Sequence, residues 1–153
     1  MMLKNIFLMS FIMTALSPVV GYAQSSQTVP DSIIQQAISD TSKTFCKKGR
    51  PAYIKFIESC YANHKNKSLD KCILEDYSLI AFDSNLRSAI KQNTGNDIPP
   101  DQEGFLSPKA VDKRIKTYYV PRFGNQVENA TRYLSPGMHK INDLMGNCSN
   151  FGK

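Results

Sequence analysis

The sequence predicts an all-α protein, a small disulfide-stapled bundle of five or six helices. Apolar residues recur at helical spacing between proline and glycine signals, no alternating run is long enough for a strand, and the chain contains four cysteines. The 153 residues, of which 41% are hydrophobic and 21% charged, suit one globular domain. They are too few for a dinucleotide-binding fold with its own substrate domain, so that class of enzyme is excluded.

Each helix is predicted where apolar residues such as Ile34 and Ala37 share one face between a start and a stop signal. The predicted helices cover the following ranges: 31–47, 51–62, 69–92, 107–120, 122–134 and 138–148. A loop over 93–104 separates the third helix from the fourth, a length typical of functional or mobile loops. Pro121 is expected to stop the fourth helix, and the Ser-Pro-Gly run at 135–137 to separate the last two.

The first 23 residues have the pattern of a secretory signal peptide. A lysine, an apolar stretch over 6–16 and a proline precede small residues, and cleavage is predicted after Ala23. A membrane anchor is the alternative, but it needs about 18–20 uninterrupted apolar residues. Cleavage would leave a loose segment, 24–29, and a single helical domain over 30–153. We therefore predict a periplasmic or secreted bacterial protein with no transmembrane segment after cleavage.

All four cysteines, Cys46, Cys60, Cys72 and Cys148, follow the predicted leader, and an even number in an oxidising compartment predicts two disulfides. Zinc ligands usually come in close pairs, whereas the gaps here are 13, 11 and 75 residues, so neither a metal nor another cofactor is predicted. An antiparallel hairpin of the second and third helices would place Cys60 opposite Cys72. This favours Cys60–Cys72 with Cys46–Cys148, while Cys46–Cys72 with Cys60–Cys148 stays open.

Three short stretches carry a family resemblance: SCY at 59–61, LDKC at 69–72 and AFDSNL at 81–86. Together they resemble the helical hairpin of small exported bacterial proteins related to the LprI-type lysozyme inhibitors. In that family two cysteines with a similar gap precede an Ala-Asp-x-x-Leu-Asn-like stretch, whereas here Phe82 separates the alanine from the aspartate. The resemblance, which covers 59–86, implies an exported helical protein that inhibits a cell-wall hydrolase.

The two histidines, His64 and His139, are the candidates for acid–base catalysis in a small secreted hydrolase of the ribonuclease type. Such an enzyme needs one base, one acid and a cation on the phosphate. His64 lies in a lysine-rich turn and His139 near the start of the last helix, so only the tertiary fold could bring them together. No G-x-S-x-G or H-E-x-x-H motif occurs, no catalytic residue is assigned, and a non-enzymatic protein is favoured.

Two carboxylates on the third helix, Asp76 and Asp83, are seven residues apart and share a face. They could act as paired carboxylates or ligands. Because Glu75 and Arg87 flank them, the favoured interpretation is a solvated, ion-paired surface.

The formal net charge is +6, and two segments, 43–67 and 109–122, hold most of the excess positive charge. Aromatic residues interleave with the second segment, and basic patches with aromatics bind anionic polymers. The candidate residues for binding an anion or a partner are Lys47, Lys48, Arg50, Lys113, Arg114 and Lys116. For an exported protein we expect a protein partner or an anionic envelope component, and no nucleic acid. No oligomeric state is predicted.

The favoured hypothesis is therefore an exported, non-enzymatic binding protein of the bacterial envelope, with inhibition of a cell-wall hydrolase as its specific form. Many lysozymes are basic, so an inhibitor needs an acidic contact, which only a local acidic face such as Asp76 and Asp83 could supply. One alternative is the small secreted basic hydrolase that uses His64 and His139. Another is an envelope assembly factor that binds anionic polymers through 43–67 and 109–122.

Overall fold

The computed structural model describes residues 28–66 and 68–148. The predicted signal peptide, with most of the loose segment that follows it, lies outside the described residues. Within them all regular structure is helical, which confirms the predicted all-α fold. No helix in this part of the chain combines the length and the apolar character needed to cross a membrane.

The described residues form five helical rods joined by short turns and one longer loop. In chain order, the helices and helical segments are the following: α1 (Asp31–Thr41), a π-helical segment (Ser42–Cys46), α2 (Arg50–Ala62), a 3-10 turn (His64–Asn66), α3 (Leu69–Thr94), α4 (Pro108–Arg114), a second π-helical segment (Ile115–Tyr119), α5 (Val120–Phe123) and α6 (Val127–Gly146). The first rod is α1 with its π-helical segment. The fourth rod is the continuous stretch from α4 to α5.

The helix ends follow local chemistry. Gly49 and Gly95 have φ angles of 80° and 73°, a left-handed conformation that favours glycine, and they separate α1 from α2 and end α3. The Ser107 side chain accepts a hydrogen bond from the backbone N–H of Ala110, and Pro108 occupies the first turn of α4. One serine cap and two glycines therefore set these helix ends.

Both predicted proline breaks are wrong. Pro121 lies in the first turn of α5, directly after a π-helical segment that already interrupts the regular i→i−4 ladder, so the fourth rod continues to Phe123. Pro136 lies inside α6, and its ring is exposed, so water can bind the carbonyl that loses its partner. Its neighbour Gly137 is buried against α3 and α1. The predicted helices over 122–134 and 138–148 are therefore largely the single helix α6.

The core lies around the first half of α3, which packs against α1, α2 and α6. These are the largest fully buried apolar side chains: Tyr53, Ile34, Ile57, Ile73, Leu74, Leu79, Leu134, Ile141 and Met145. The second half of α3 has no fully buried residue and extends beyond the core towards the loop that precedes α4.

Two disulfides staple the bundle, with the pairing that the sequence favours. Cys60–Cys72 is buried and joins α2 to α3, and Cys46–Cys148 joins the end of the first rod to the end of α6. Their sequence separations are 12 and 102 residues. In the chain-entropy model, loops of this size destabilise the unfolded chain by about 3 and about 4.7 kcal/mol, respectively.

Candidate functional site

A buried ion pair lies where α2, α3 and the fourth rod meet. Asp76 is fully buried on α3, and Arg114, at the end of α4, binds both of its carboxylate oxygens. Arg114 Nε lies 2.9 Å from Oδ2, and Nη2 lies 3.0 Å from Oδ1. The hydroxyls of Tyr61 and Tyr119 donate to Oδ2 over 2.8 and 3.2 Å. The buried Asp76 carboxylate therefore accepts a bidentate pair of hydrogen bonds from the guanidinium, which is the strong form of a charged hydrogen bond. It also accepts a hydrogen bond from each of two phenol hydroxyls.

The two phenols remain donors across the physiological range. Burial raises the pKa of Tyr61, and the neighbouring Asp76 carboxylate raises it further. The same two causes, in the same order, raise the pKa of Tyr119. Both hydroxyls therefore keep their protons and their hydrogen bonds to Asp76.

One sequence interpretation is wrong at this cluster. Asp76 does not lie on a solvated face, because its position on α3 points into the core. The charge of Arg114 is paired with Asp76, because a buried carboxylate needs a buried cation and Arg114 supplies it. Asp83, two turns later on α3, is mostly buried and binds Arg50 and Arg87 at 3.0 Å each. Asp76 and Asp83 therefore do not form an exposed acidic face.

Arg114 also anchors the loop between α3 and α4. Its Nη1 donates to the carbonyl oxygen of Phe105 over 2.7 Å, and its guanidinium carbon lies 3.6 Å from the centre of the Phe105 ring. A cation over an aromatic face at this distance is attractive. The buried pair thus fixes the position of Phe105, the aromatic residue of this loop.

An open groove of about 480 Å³ lies beside the ion pair, between α2, this loop and the fourth rod. Tyr61 and Tyr118 stack in its wall, with ring centres 4.2 Å apart and planes 12° apart, and Phe105 also lines it. The full set of lining residues is Glu58, Tyr61, Ala62, Gly104, Phe105, Ala110, Lys113, Arg114, Thr117 and Tyr118. We call this the aromatic groove.

Positive charge is concentrated around the aromatic groove. Lys113 is exposed and lines it, and Lys109 is exposed one turn earlier on α4. On α2, Lys55 lies about one turn before Glu58, the acidic residue of the lining. Within the described residues Lys55, Lys109 and Lys113 form no ion pair, whereas most carboxylates do. These three lysines outnumber by one the exposed carboxylates here that form no ion pair, Glu58 and Glu103.

The other predicted binding residues have different surroundings. Lys47 and Lys48 are exposed after the first π-helical segment and are not part of the groove lining. Arg50 binds Asp83 and Asp101, and Lys116 binds Asp112 at 2.8 Å in an exposed pair.

The two histidines lie in different elements. His64 Nδ1 is 2.7 Å from the carbonyl oxygen of Tyr61, which can only accept, so Nδ1 carries the proton. The His64 and Tyr118 rings pack edge to face, with centres 5.9 Å apart and planes 71° apart. His139 is exposed on α6. Among the described residues, no group of three His, Cys, Asp or Glu side chains has the arrangement of a metal site.

Phe105 and the Asp76–Arg114 pair are not predicted from the sequence. Phe105 was detectable in one way, since it is the one aromatic residue between α3 and α4 and follows Gly104 directly. The ion pair was not detectable, because its partners are 38 residues apart.

Comparison of the chain with protein-family models gives no match, and comparisons with curated proteins and with solved structures also give none. The resemblance over 59–86 therefore stays a prediction.

Proposed function

We propose that this protein is an exported, non-enzymatic binding protein of the bacterial envelope, and that the aromatic groove is its binding site. The proposal depends on one observation, which is that the buried ion pair holds side chains of the groove in place. Asp76 accepts a hydrogen bond from the hydroxyl of Tyr61 in one wall of the groove, and Arg114 contacts Phe105 in another wall. A site whose side chains are already held in place loses little conformational entropy on binding.

An acidic segment of another protein fits this groove best. Tyr118 and Phe105 offer partly exposed ring surface, and tyrosine and phenylalanine are enriched at protein interfaces. Lys113, with Lys109 beside it, offers cations that complement carboxylates. The volume of about 480 Å³ lies in the range of ligand sites and accommodates a few side chains. We infer that the occupant carries both carboxylates and apolar groups.

The positive charge beside the groove limits which cell-wall hydrolases fit it as partners. A basic lysozyme needs an acidic contact, whereas Asp76 is buried and Asp83 is held by two arginines. If the partner is a cell-wall hydrolase, it must therefore present an acidic surface to the groove.

Site-specific photo-crosslinking in the native bacterium tests the proposal. A photoreactive amino acid replaces Thr117, which is exposed in the groove, and in a matched control it replaces Lys140, which is exposed on α6. We expect one envelope protein to be captured from position 117 and not from position 140. Its capture should fall at least ten-fold when Lys113→Glu is added.

Two results would overturn the proposal of a protein partner. One is equal capture of the same proteins from both positions. The other is binding of the purified protein to isolated cell-wall polymer that is lost with Lys113→Glu, in the absence of any specific protein capture. In that case the groove would bind an anionic glycan.

A further inference from the structure

A second cavity lies on the other face of the fourth rod, between this rod, α3 and the start of α6. Its volume is about 130 Å³, and it is largely enclosed. Apolar side chains supply nearly all of its surface, among them Ile80, Val111, Ile115, Phe123 and Ala130. We call this the apolar cavity.

The polar atoms of the tyrosines that line the apolar cavity are engaged elsewhere. The Tyr77 hydroxyl lies 3.0 Å from Thr131 Oγ1, and the Tyr119 hydroxyl donates to Asp76. These two residues therefore contribute their rings to the cavity. A buried water needs two to four polar partners, which such a surface does not offer.

The turn between α5 and α6 forms the mouth of the apolar cavity, because its lining residues 124–127 are exposed. Val127 is 66% exposed, and it is one of two large hydrophobic residues with high exposure in the described part of the chain. An apolar residue at the mouth suits the entry of an apolar ligand.

We propose that the apolar cavity binds one small, uncharged aromatic molecule of about the size of benzene. An engineered protein cavity of about 150 Å³ lined by aliphatic and aromatic side chains stays dry and binds benzene, and the volume and lining here are comparable. The inference is independent of the proposed function, since the two sites lie on opposite faces of the fourth rod.

Fluorobenzene is a suitable probe, with binding followed by fluorine NMR of the full-length mature protein. We expect saturable line broadening with the wild-type chain. Ala130→Leu adds three carbon atoms inside the cavity and should weaken binding at least ten-fold. Ala110→Leu is the matched control, because residue 110 faces the aromatic groove, and it should leave binding unchanged.

A second measurement does not depend on any variant. In the wild-type protein, the ring protons of bound fluorobenzene should show nuclear Overhauser effects to the methyl groups of Ile115 and Val120. Absence of saturable binding, contacts to other methyl groups only, or unchanged binding by a folded Ala130→Leu variant would overturn the inference. None of these results bears on partner capture at the aromatic groove.

Discussion

Asp76 shows how a single buried charge organises its surroundings. Its carboxylate is satisfied by Arg114 and two phenols, and through Arg114 it positions Phe105 at the aromatic groove. Neither its burial nor its partner could be predicted from the sequence, because a charged residue on a helix is usually solvated and Arg114 is remote in the chain. The environment of Asp76 depends on how α3 packs in the folded chain. The spacing of apolar residues along α3 does not predict it.

Arg114→Met tests the buried pair. Methionine keeps much of the arginine volume but leaves the Asp76 carboxylate buried without a cation, so we expect a loss of about 3–5 kcal/mol in the free energy of unfolding. Denaturant unfolding measures this loss. The control is Lys116→Met, which removes an exposed pair and should change stability by at most about 1 kcal/mol. Equal effects of the two changes would contradict the account.

Asp70 predicts a pH dependence of stability. Burial acts to raise the pKa of its carboxyl, but hydrogen bonds from Arg122 at 2.7 and 2.9 Å and from Tyr133 at 2.6 Å lower the pKa overall. The unfolded-state value is about 3.9. The stabilising contribution of Asp70 is therefore fully present above this pH and is lost as the pH falls through the lower, folded-state pKa.

Asp70→Asn removes this contribution. Unfolding experiments between neutral and acidic pH should show the variant less stable than the wild type at neutral pH, with the difference shrinking as the pH falls below about 4. Asp112→Asn, in an exposed pair, is the control. A stability difference for Asp70→Asn that stays constant with pH would argue against a lowered pKa.

At the scale of elements, apolar periodicity predicted the first three helices well and failed where proline signals dominated. Pro121 and Pro136 lie in continuous helix because a π-helical segment precedes the first and solvent faces the second. Gly137 was interpreted as part of a break, yet it allows α6 to approach α3 closely. A local rule fails where packing along a whole helix outweighs the loss of one backbone hydrogen bond.

Gly137→Ala tests this close approach. A Cβ atom there would lie 2.9 Å from Leu74 Cδ2 and 3.2 Å from Ile34 Cγ1, and such overpacking costs about 1–3 kcal/mol. Because alanine favours helix over glycine by about 1 kcal/mol, we expect a net loss of up to about 2 kcal/mol in the free energy of unfolding. Gly146→Ala, also on α6 but with nothing within 4 Å, should be neutral or stabilising. If alanine stabilised the protein at both positions, the close contact of Gly137 with α3 and α1 would be contradicted.

For the whole molecule, apolar periodicity and the four cysteines predicted the fold class, and the positions of Cys60 and Cys72 at the turn of a helical hairpin predicted the favoured disulfide pairing. The aromatic groove was not predictable, since α2, the loop before α4 and the fourth rod meet only in the folded chain. Of the six candidate binding residues, only Lys113 and Arg114 line the groove, and Arg114 is buried there in its ion pair with Asp76.

The two disulfides should contribute unequally to global stability. In the chain-entropy model, replacing both Cys46 and Cys148 by serine costs about 4.7 kcal/mol, and the same change at Cys60 and Cys72 costs about 3 kcal/mol. Denaturant unfolding of the two double variants measures both losses, and peptide mapping without reduction checks the pairing. Cross-linked peptides joining Cys46 to Cys72 would contradict the fold described above.

The affinity of the purified, crosslink-identified partner for groove variants tests the central claim most directly. Tyr118→Ala removes exposed aromatic surface from the groove, whereas Lys140→Ala changes an exposed residue of α6. Titration calorimetry should give an affinity at least ten-fold weaker for Tyr118→Ala and an unchanged affinity for Lys140→Ala. Equal affinities of the wild type and the Tyr118→Ala variant would show that the aromatic groove is not the binding site.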